Sequence, residues 1–418
     1  MPLAFAAGIG SMLGSGIIVG LSATIVVWQE GLGLDTTQVG LLSGILTFAI
    51  AFGSLFGGRL ADKIGRVLFF NWVNLFYAIG AAICVFAPNF TVLLIGLIIA
   101  GLASGADLPV AMTIVSHDAP DEATAAQLVS TTQVFWQVGV FISFICAFLV
   151  SAMQGATGGR VVFAILAVFA VIAWLWRLLS PTFRRFHEAA DVRDAARPAV
   201  VGNGKVSVTK VLFGADKKVL LTYFLAIVIF YVGWNLLANT WGQFQTYMFS
   251  KAGAAQSLAT GLGIILNFVT LVLNIVFASI AGGKYRNKAF FAGIVISLIA
   301  MAAMAMGGAN LWVIVGATAF MNLGSPLAGE ALYKVWTQES FPIEIRASIQ
   351  GFINGFSRLC CGLFALITPA LVLPETIQTT MWCFFGIVII EGIAGTIMIR
   401  AQKKYGTDEE RQAHKIAA

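Results

Sequence analysis

Four ionisable side chains stand inside long apolar stretches of this chain: Asp107, Glu330, Arg358 and Glu391. A charge held far from water is costly, and where one is kept it marks a solute path, a proton relay or an ion pair. Asp107 lies 13 residues before Pro120 and Glu330 lies 12 before Pro342, so the two carboxylates hold nearly equivalent places in two halves of the chain. Arg358 follows Arg346 by 12 residues. At 1.5 Å per helical residue, Glu330 and Arg358 each stand about 18 Å from one boundary, which makes an ion pair between them sterically reasonable. Three chemistries fit this set: that fixed pair, proton transfer, or direct contact with a solute. Proton transfer is on the list because burial favours the neutral form of a carboxyl group. Asp107 has no basic partner at matching depth in its own half, which singles it out as the protonatable group. Lys334, one turn from Glu330, can compete for Glu330 or reach back toward water. Glu391 lies nine residues before Arg400.

A second set is neutral. Asn235, Asn239 and Gln243 recur every four residues, on one helix face, with Trp234 and Trp241 on an adjoining face. Gln133 and Gln137 repeat that spacing, Asn267, Thr270 and Asn274 line another face, and Asn354 lies one turn from Arg358. An amide offers both donor and acceptor to neighbouring hydroxyls, and an indole covers the C–H face of a sugar ring. Gln133, Gln137, Trp234, Asn235, Asn239, Gln243, Asn267, Asn274 and Asn354 are therefore the expected contacts of a polyhydroxylated solute. The competing reading is that these amides bond other helices. Trp28 and Trp312, near the ends of apolar stretches, fit an interfacial belt. The five cysteines all fall inside apolar stretches without metal-ligand spacing, as small packing residues. No nucleophile triad or metal cluster is visible, so the expectation is a non-enzyme without cofactor or metal.

What must position these groups follows from composition. Of 418 residues, 59% are apolar and 11% charged, against roughly 25% charged in a soluble domain. That excludes a soluble enzyme, a nucleic-acid binder and a disordered chain. The net charge of +6 is read through topology instead. Twelve apolar stretches are long enough to cross ~30 Å of hydrocarbon: 3–28, 39–58, 67–87, 91–116, 124–151, 160–179, 218–247, 257–282, 289–307, 311–337, 347–373 and 377–399. They are helices, because lipid forbids unpaired backbone groups. Basic residues gather between spans 2 and 3, between spans 6 and 7 (Arg177 to Lys218), after span 8 and after Arg400, while the opposite loops hold Arg160 and Lys251. By the positive-inside rule both termini are cytoplasmic.

The polar segment 180–217 splits the spans six and six, giving bundles at 1–179 and 218–400, a cytoplasmic linker between them and a tail at 401–418. The halves echo one another. Gly58-x-x-x-Asp62-Lys63-x-Gly65-Arg66 after span 2 is matched by Gly282-Gly283-Lys284-Tyr285-Arg286-Asn287-Lys288 after span 8. Six-plus-six repeats around a midplane site are a common plan of secondary transporters.

The first of those runs, with twelve spans and the degenerate second copy, resembles the loop signature of the major facilitator superfamily, with Val67 replacing its last basic position. Within it the chain is similar to the sugar porters, particularly bacterial polyol and inositol members. Gly101-x-x-x-Gly105-x-x-x-Pro109, Gln133 with Gly139, Asn239, and Glu339-x-Phe341-Pro342-x-x-x-Arg346 carry that likeness. The family's paired span 7 glutamines fall on Gly233 and Trp234, and its span 10 tryptophan on Lys334.

The resemblance implies an all-α membrane protein of two pseudo-symmetric six-helix bundles. It implies a sugar or polyol importer working by alternating access; for proton coupling the candidates remain the membrane-interior residues Asp107, Glu330, Glu391 and Arg358. It also implies gating by Asp62, Arg66, Glu339 and Arg346, with Asp62 and Arg66 as a latch. The expected partners are a small polar solute, a proton and the bilayer of a bacterial cytoplasmic membrane, with no nucleic acid and a monomeric working unit. A proton-coupled drug exporter or an organic-anion carrier, with Arg358 on the anion, is the alternative.

Overall fold

In the computed structural model the described residues are 2–118, 122–181, 185, 188, 212–214, 216–280, 285–408 and 410–411. Thirteen helices lie among them: α1 (Pro2–Leu32), α2 (Thr36–Ile64), α3 (Arg66–Val85), α4 (Phe90–Asp118), α5 (Glu122–Leu149), α6 (Thr157–Leu179), α7 (Lys217–Lys251), α8 (Gln256–Ile280), α9 (Arg286–Gly307), α10 (Leu311–Gly324), α11 (Glu330–Ser340), α12 (Ile343–Leu371) and α13 (Ile377–Tyr405). Ten are long and apolar enough to cross a membrane. Large apolar side chains such as Phe56, Phe76, Leu149, Ile265 and Leu363 are exposed, the surface a lipid-facing protein presents.

Local signals explain the ends. Asp35 caps α2 reciprocally: its carboxylate accepts from the Gln38 amide at 2.7 Å, and the Gln38 side chain accepts from the Asp35 amide at 3.0 Å. Gly65 joins α2 to α3 with φ of 108°, a conformation that glycine alone adopts cheaply. Asp62 and Arg66 therefore flank a turn, but their side chains lie outside the described residues.

Each expected span is one continuous helix except the tenth. There α10 stops at Gly324 and α11 resumes at Glu330. Pro326 cannot donate a backbone hydrogen bond, and its ring crowds the preceding turn. The break is filled from α7: the Trp234 Nε1 donates to the Ser325 hydroxyl at 2.9 Å and to its carbonyl at 3.2 Å. The indole occupies the space that a side chain at Gly329 would need.

Helices α1–α6 pack mainly on one another, and so do α7–α13. The main contacts between the sets are α2 with α12, α1 with α7, and α5 with α8. One end of the molecule carries Lys63, Lys217, Lys218, Arg286, Lys288, Lys403 and Lys404 and is the basic end; Arg160 and Lys251 lie at the far end. Toward the far end the two sets meet closely. Gly40 and Gly44 of α2 lie against Leu366 and Gly362 of α12, and Gly263 of α8 lies against Phe144 of α5. Small residues let the backbones approach. The Gln256 side chain also donates to the Ala23 carbonyl at 2.6 Å.

Candidate solute site

The four-residue spacing on α7 does place its three amides in a row. Gln243 is buried and donates from Nε2 both to Asn239 Oδ1 at 2.7 Å and to Thr47 Oγ1 of α2 at 2.9 Å. This bond ties the α7 row to the other helix set. One turn on, Asn235 Nδ2 donates to Ser357 Oγ of α12 at 2.8 Å. Ser357 donates to the Asn354 carbonyl at 3.1 Å, and Asn354 Oδ1 accepts from Arg358 Nε at 3.0 Å. The amides of α7 and α12 thus form one polar strip. Among the described residues no bond is made by the Asn239 NH2 group or the Asn235 carbonyl oxygen, and both side chains are half-buried.

Beside the strip stands an aromatic stack. Tyr231 of α7 lies between Tyr333 of α11, with centroids 3.9 Å apart and planes at 20°, and Trp234, at 5.7 Å and 17°. Tyr333 is held by its hydroxyl donating to the Gln350 carbonyl at 2.8 Å. Amides with a neighbouring aromatic surface can hold a polyhydroxylated solute by its hydroxyls and its C–H face.

Glu330 and Lys334 open the second half of the broken span. Their side chains are joined at 2.8 Å and remain 38% and 39% exposed. Arg358 lies within electrostatic reach of that carboxylate. The expected Glu330–Arg358 ion pair is corrected here: Glu330 pairs with Lys334, and Arg358 turns its Nε to Asn354. The reason is the i,i+4 geometry, which offers each a partner on its own helix. Arg358 stays within electrostatic reach of Glu330, Tyr231 and Tyr333.

Asp107 is the second correction. It was expected to lack a basic partner, yet Arg177 meets it with both terminal nitrogens, at 2.6 and 3.0 Å. Arg177 was assigned to the linker charges, but α6 runs past it and buries it to 2% exposure. Its guanidinium also donates to the Phe70 carbonyl at 3.0 Å and stacks 3.8 Å from the Phe70 ring centroid. Glu391 differs from both carboxylates: it is 4% exposed on α13, packed near Gly233 of α7, and has no ion pair or hydrogen bond to its side chain among the described residues.

Other expectations disperse. Gln137 is half-buried on α5, Asn267 donates to the Gly263 carbonyl of its own helix at 2.9 Å, and Asn274 is half-buried on α8. None of the three bonds to the polar strip among the described residues. The Gln133 and Arg346 side chains lie outside those residues. Glu339 accepts from Arg286 at 2.6 Å and from Gln402 at 3.1 Å at the basic end, so the degenerate second loop is tied to the end of α11. Trp28 is corrected too: α1 continues past it to Leu32, and Trp28 is buried against Phe163 with centroids 5.9 Å apart. Trp312 is 66% exposed.

Sequence reasoning missed Thr47, Tyr231, Tyr333, Ser325 and Ser357. The break had a readable signal in Gly324-Ser325-Pro326 followed by Gly329. Thr47, Tyr231 and Ser357 had none, because a lone hydroxyl in an apolar helix usually bonds its own backbone.

The sequence pattern of the Major Facilitator Superfamily matches residues 3–365. The minor myo-inositol transporter IolF of Bacillus subtilis is 30% identical over 407 residues, 94% of this chain and 89% of that protein. The niacin transporter NiaP of Acinetobacter baylyi is 33% identical over 151 residues, 35% of this chain and 34% of that protein. Among solved structures, a D-xylose-proton symporter superposes with a TM-score of 0.75 at 14% identity, over 94% of this chain and 96% of that one.

Proposed function

Because the chain belongs to the Major Facilitator Superfamily, we propose that it carries a sugar or polyol across a bacterial cytoplasmic membrane by alternating access. Members of the family are multi-pass membrane transporters, not enzymes. In this reading α10 and α11 together make one passage, so twelve passages form two six-helix bundles, at 1–179 and 218–400. The linker, the tail and both termini lie in the cytoplasm, a reading that the basic end supports. The working unit is a monomer.

The observation that carries the solute class is the polar strip Gln243–Asn239–Asn235–Ser357–Asn354 beside the Tyr231 stack. It offers amide donors and acceptors without partners among the described residues, next to ring faces, at a seam between the two helix sets. The similarity to a myo-inositol transporter over 94% of the chain agrees with that class. The close far-end contacts of α2 with α12 and α5 with α8 support reading this conformation as one that faces the cytoplasm. Asp62 and Arg66 serve as the latch of the opposite state, and Glu339 with Arg346 steadies its counterpart.

Proton coupling falls to Glu391. Asp107 is tied to Arg177 and Glu330 to Lys334, whereas Glu391 is buried without a partner among the described residues. A guanidinium keeps its proton throughout, which removes Arg358 from proton transfer.

The test is counterflow in proteoliposomes of the full chain against labelled myo-inositol, D-xylose and mannitol. Exchange of at least one, with KM raised about tenfold in Asn239→Ala, is the expected result for loss of one good hydrogen-bonded contact. No exchange of any polyhydroxylated solute, neutral or acidic, or an unchanged KM in a well-folded Asn239→Ala, removes the reading.

A further inference from the structure

The sugar or polyol reading leaves one cation without employment. Around the break in the tenth passage stand two cations, Lys334 and Arg358, and one carboxylate, Glu330. Lys334 and Glu330 neutralise each other at 2.8 Å. Arg358 uses only its Nε, donating to Asn354 Oδ1 at 3.0 Å. Its two terminal NH2 groups contact no acceptor among the described residues. It stands about 22 Å from the start of α12 at 1.5 Å per residue, near the middle of the passage. A lone guanidinium is expensive there and is retained where it meets a solute, an ion or a partner charge.

The surroundings of that guanidinium match a solute. Asn354 fixes the Nε side, so the planar fork presents both terminal nitrogens in one direction, the geometry that receives a carboxylate with two parallel hydrogen bonds. Ser357, the neighbouring residue, joins Arg358 to Asn235 of the hydroxyl-binding strip. Glu330 and Tyr333 lie within electrostatic reach, and the Glu330 and Lys334 side chains are 38% and 39% exposed. The Glu330–Lys334 pair itself bars a simple salt bridge to Arg358, since its carboxylate already has a cation.

We infer that the solute bears one carboxylate in addition to its hydroxyls: Arg358 holds the carboxylate, while Asn239 and Asn235 hold the hydroxyls. The ligand class is a monoanionic polyhydroxy acid, a sugar acid rather than a neutral sugar. The inference rests on the carrier reading above and narrows its solute. One unbalanced positive charge matches one carboxylate; a phosphate monoester carries about −1.5 to −2 at neutral pH and would leave negative charge unmatched in the membrane interior. Cation and amides belong to adjoining turns of α7 and α12, linked through Ser357.

The experiment is a competition panel on the full chain in proteoliposomes, with D-gluconate and D-glucuronate as acids, myo-inositol and D-xylose as neutral solutes, D-glucose 6-phosphate as phosphate and nicotinate as an acid without hydroxyls. The acids are expected to exchange and to compete better than the neutral solutes. Arg358→Gln is expected to lower the preference for acid over neutral solute by about tenfold or more, and Arg358→Lys, which keeps the charge but loses the fork, by less. Exchange of neutral solutes with inert acids overturns the inference and leaves the sugar or polyol reading standing. Acid exchange with an unaltered preference in both variants overturns it as well, and so does stronger competition by glucose 6-phosphate. Equal competition by nicotinate would show that the hydroxyls play no part, which also overturns it. Exchange of none of these solutes removes both readings. The wild-type panel decides the solute class even where a variant fails to fold.

Discussion

Three carboxylates inside the apolar stretches were candidates for proton transfer, Asp107 foremost, and their partners separate them. Asp107 and Arg177 form a pair at 2% or less side-chain exposure. Such a pair contributes little net stability over an apolar pair, but breaking one side leaves an uncompensated charge. Asp107→Asn is therefore expected to cost about 3–5 kcal/mol, read as a drop in the melting temperature of the purified protein. The double variant Asp107→Asn with Arg177→Gln should regain part of it. A single variant as stable as the wild type would show that the pair does not hold α3, α4 and α6 together. Glu391 has no such tie. Glu391→Gln is expected to lose accumulation driven by an inward proton gradient far more than it loses counterflow. Equal loss of both in a folded variant would give Glu391 a packing role instead.

At the scale of elements, two local departures from regular structure matter most. The Gly65 turn holds α2 and α3 at φ of 108°, and any other residue there is strained by about 1–3 kcal/mol. Gly65→Ala is expected to lower thermal stability by that order, although no neighbour would clash with the added methyl. The break between α10 and α11 depends on Trp234, which supplies the hydrogen bond that the missing helical turn does not. Trp234→Phe keeps an aromatic face toward Tyr231 but leaves the Ser325 carbonyl and hydroxyl without that donor, at a cost of about 1–3 kcal/mol. The expected readout is a lower melting temperature together with a raised KM, since the same ring borders the polar strip. A stability loss with unchanged KM would separate the break from the site.

At the scale of the whole molecule, the proposed transport turns on the seam between helix sets. Its far half is closed by backbone-to-backbone approach at Gly40 and Gly44 against Leu366 and Gly362, and by Gln243 bonding Thr47. Alternating access requires this seam to open and close. Gly40→Val places two methyl groups where the α12 backbone lies, so it should leave each bundle folded while holding the far ends apart. Counterflow is then expected to fall by about tenfold or more, a shift of roughly 1.4 kcal/mol or more in the balance of states. Normal exchange in this variant would show that the far ends need not meet during transport.

The sequence by itself determined the solvent and the helices, because each is a local property. Runs of about 20 apolar residues can only be helices in lipid, and every expected span is found as helix, with one broken. The row Asn235, Asn239, Gln243 was legible for the same reason: four-residue spacing is a property of one helix. Partners were not legible. Whether Asp107 meets a cation depends on how far an arginine 70 residues away reaches across α6, and whether Arg358 meets Glu330 depends on rotations of two helices. Thr47, Tyr231 and Ser357 became site residues only through packing, which brings together groups that no spacing along the chain relates. Charge pairing in the membrane interior is decided by distances of a few ångströms between helices, and those exist only once the helices have packed.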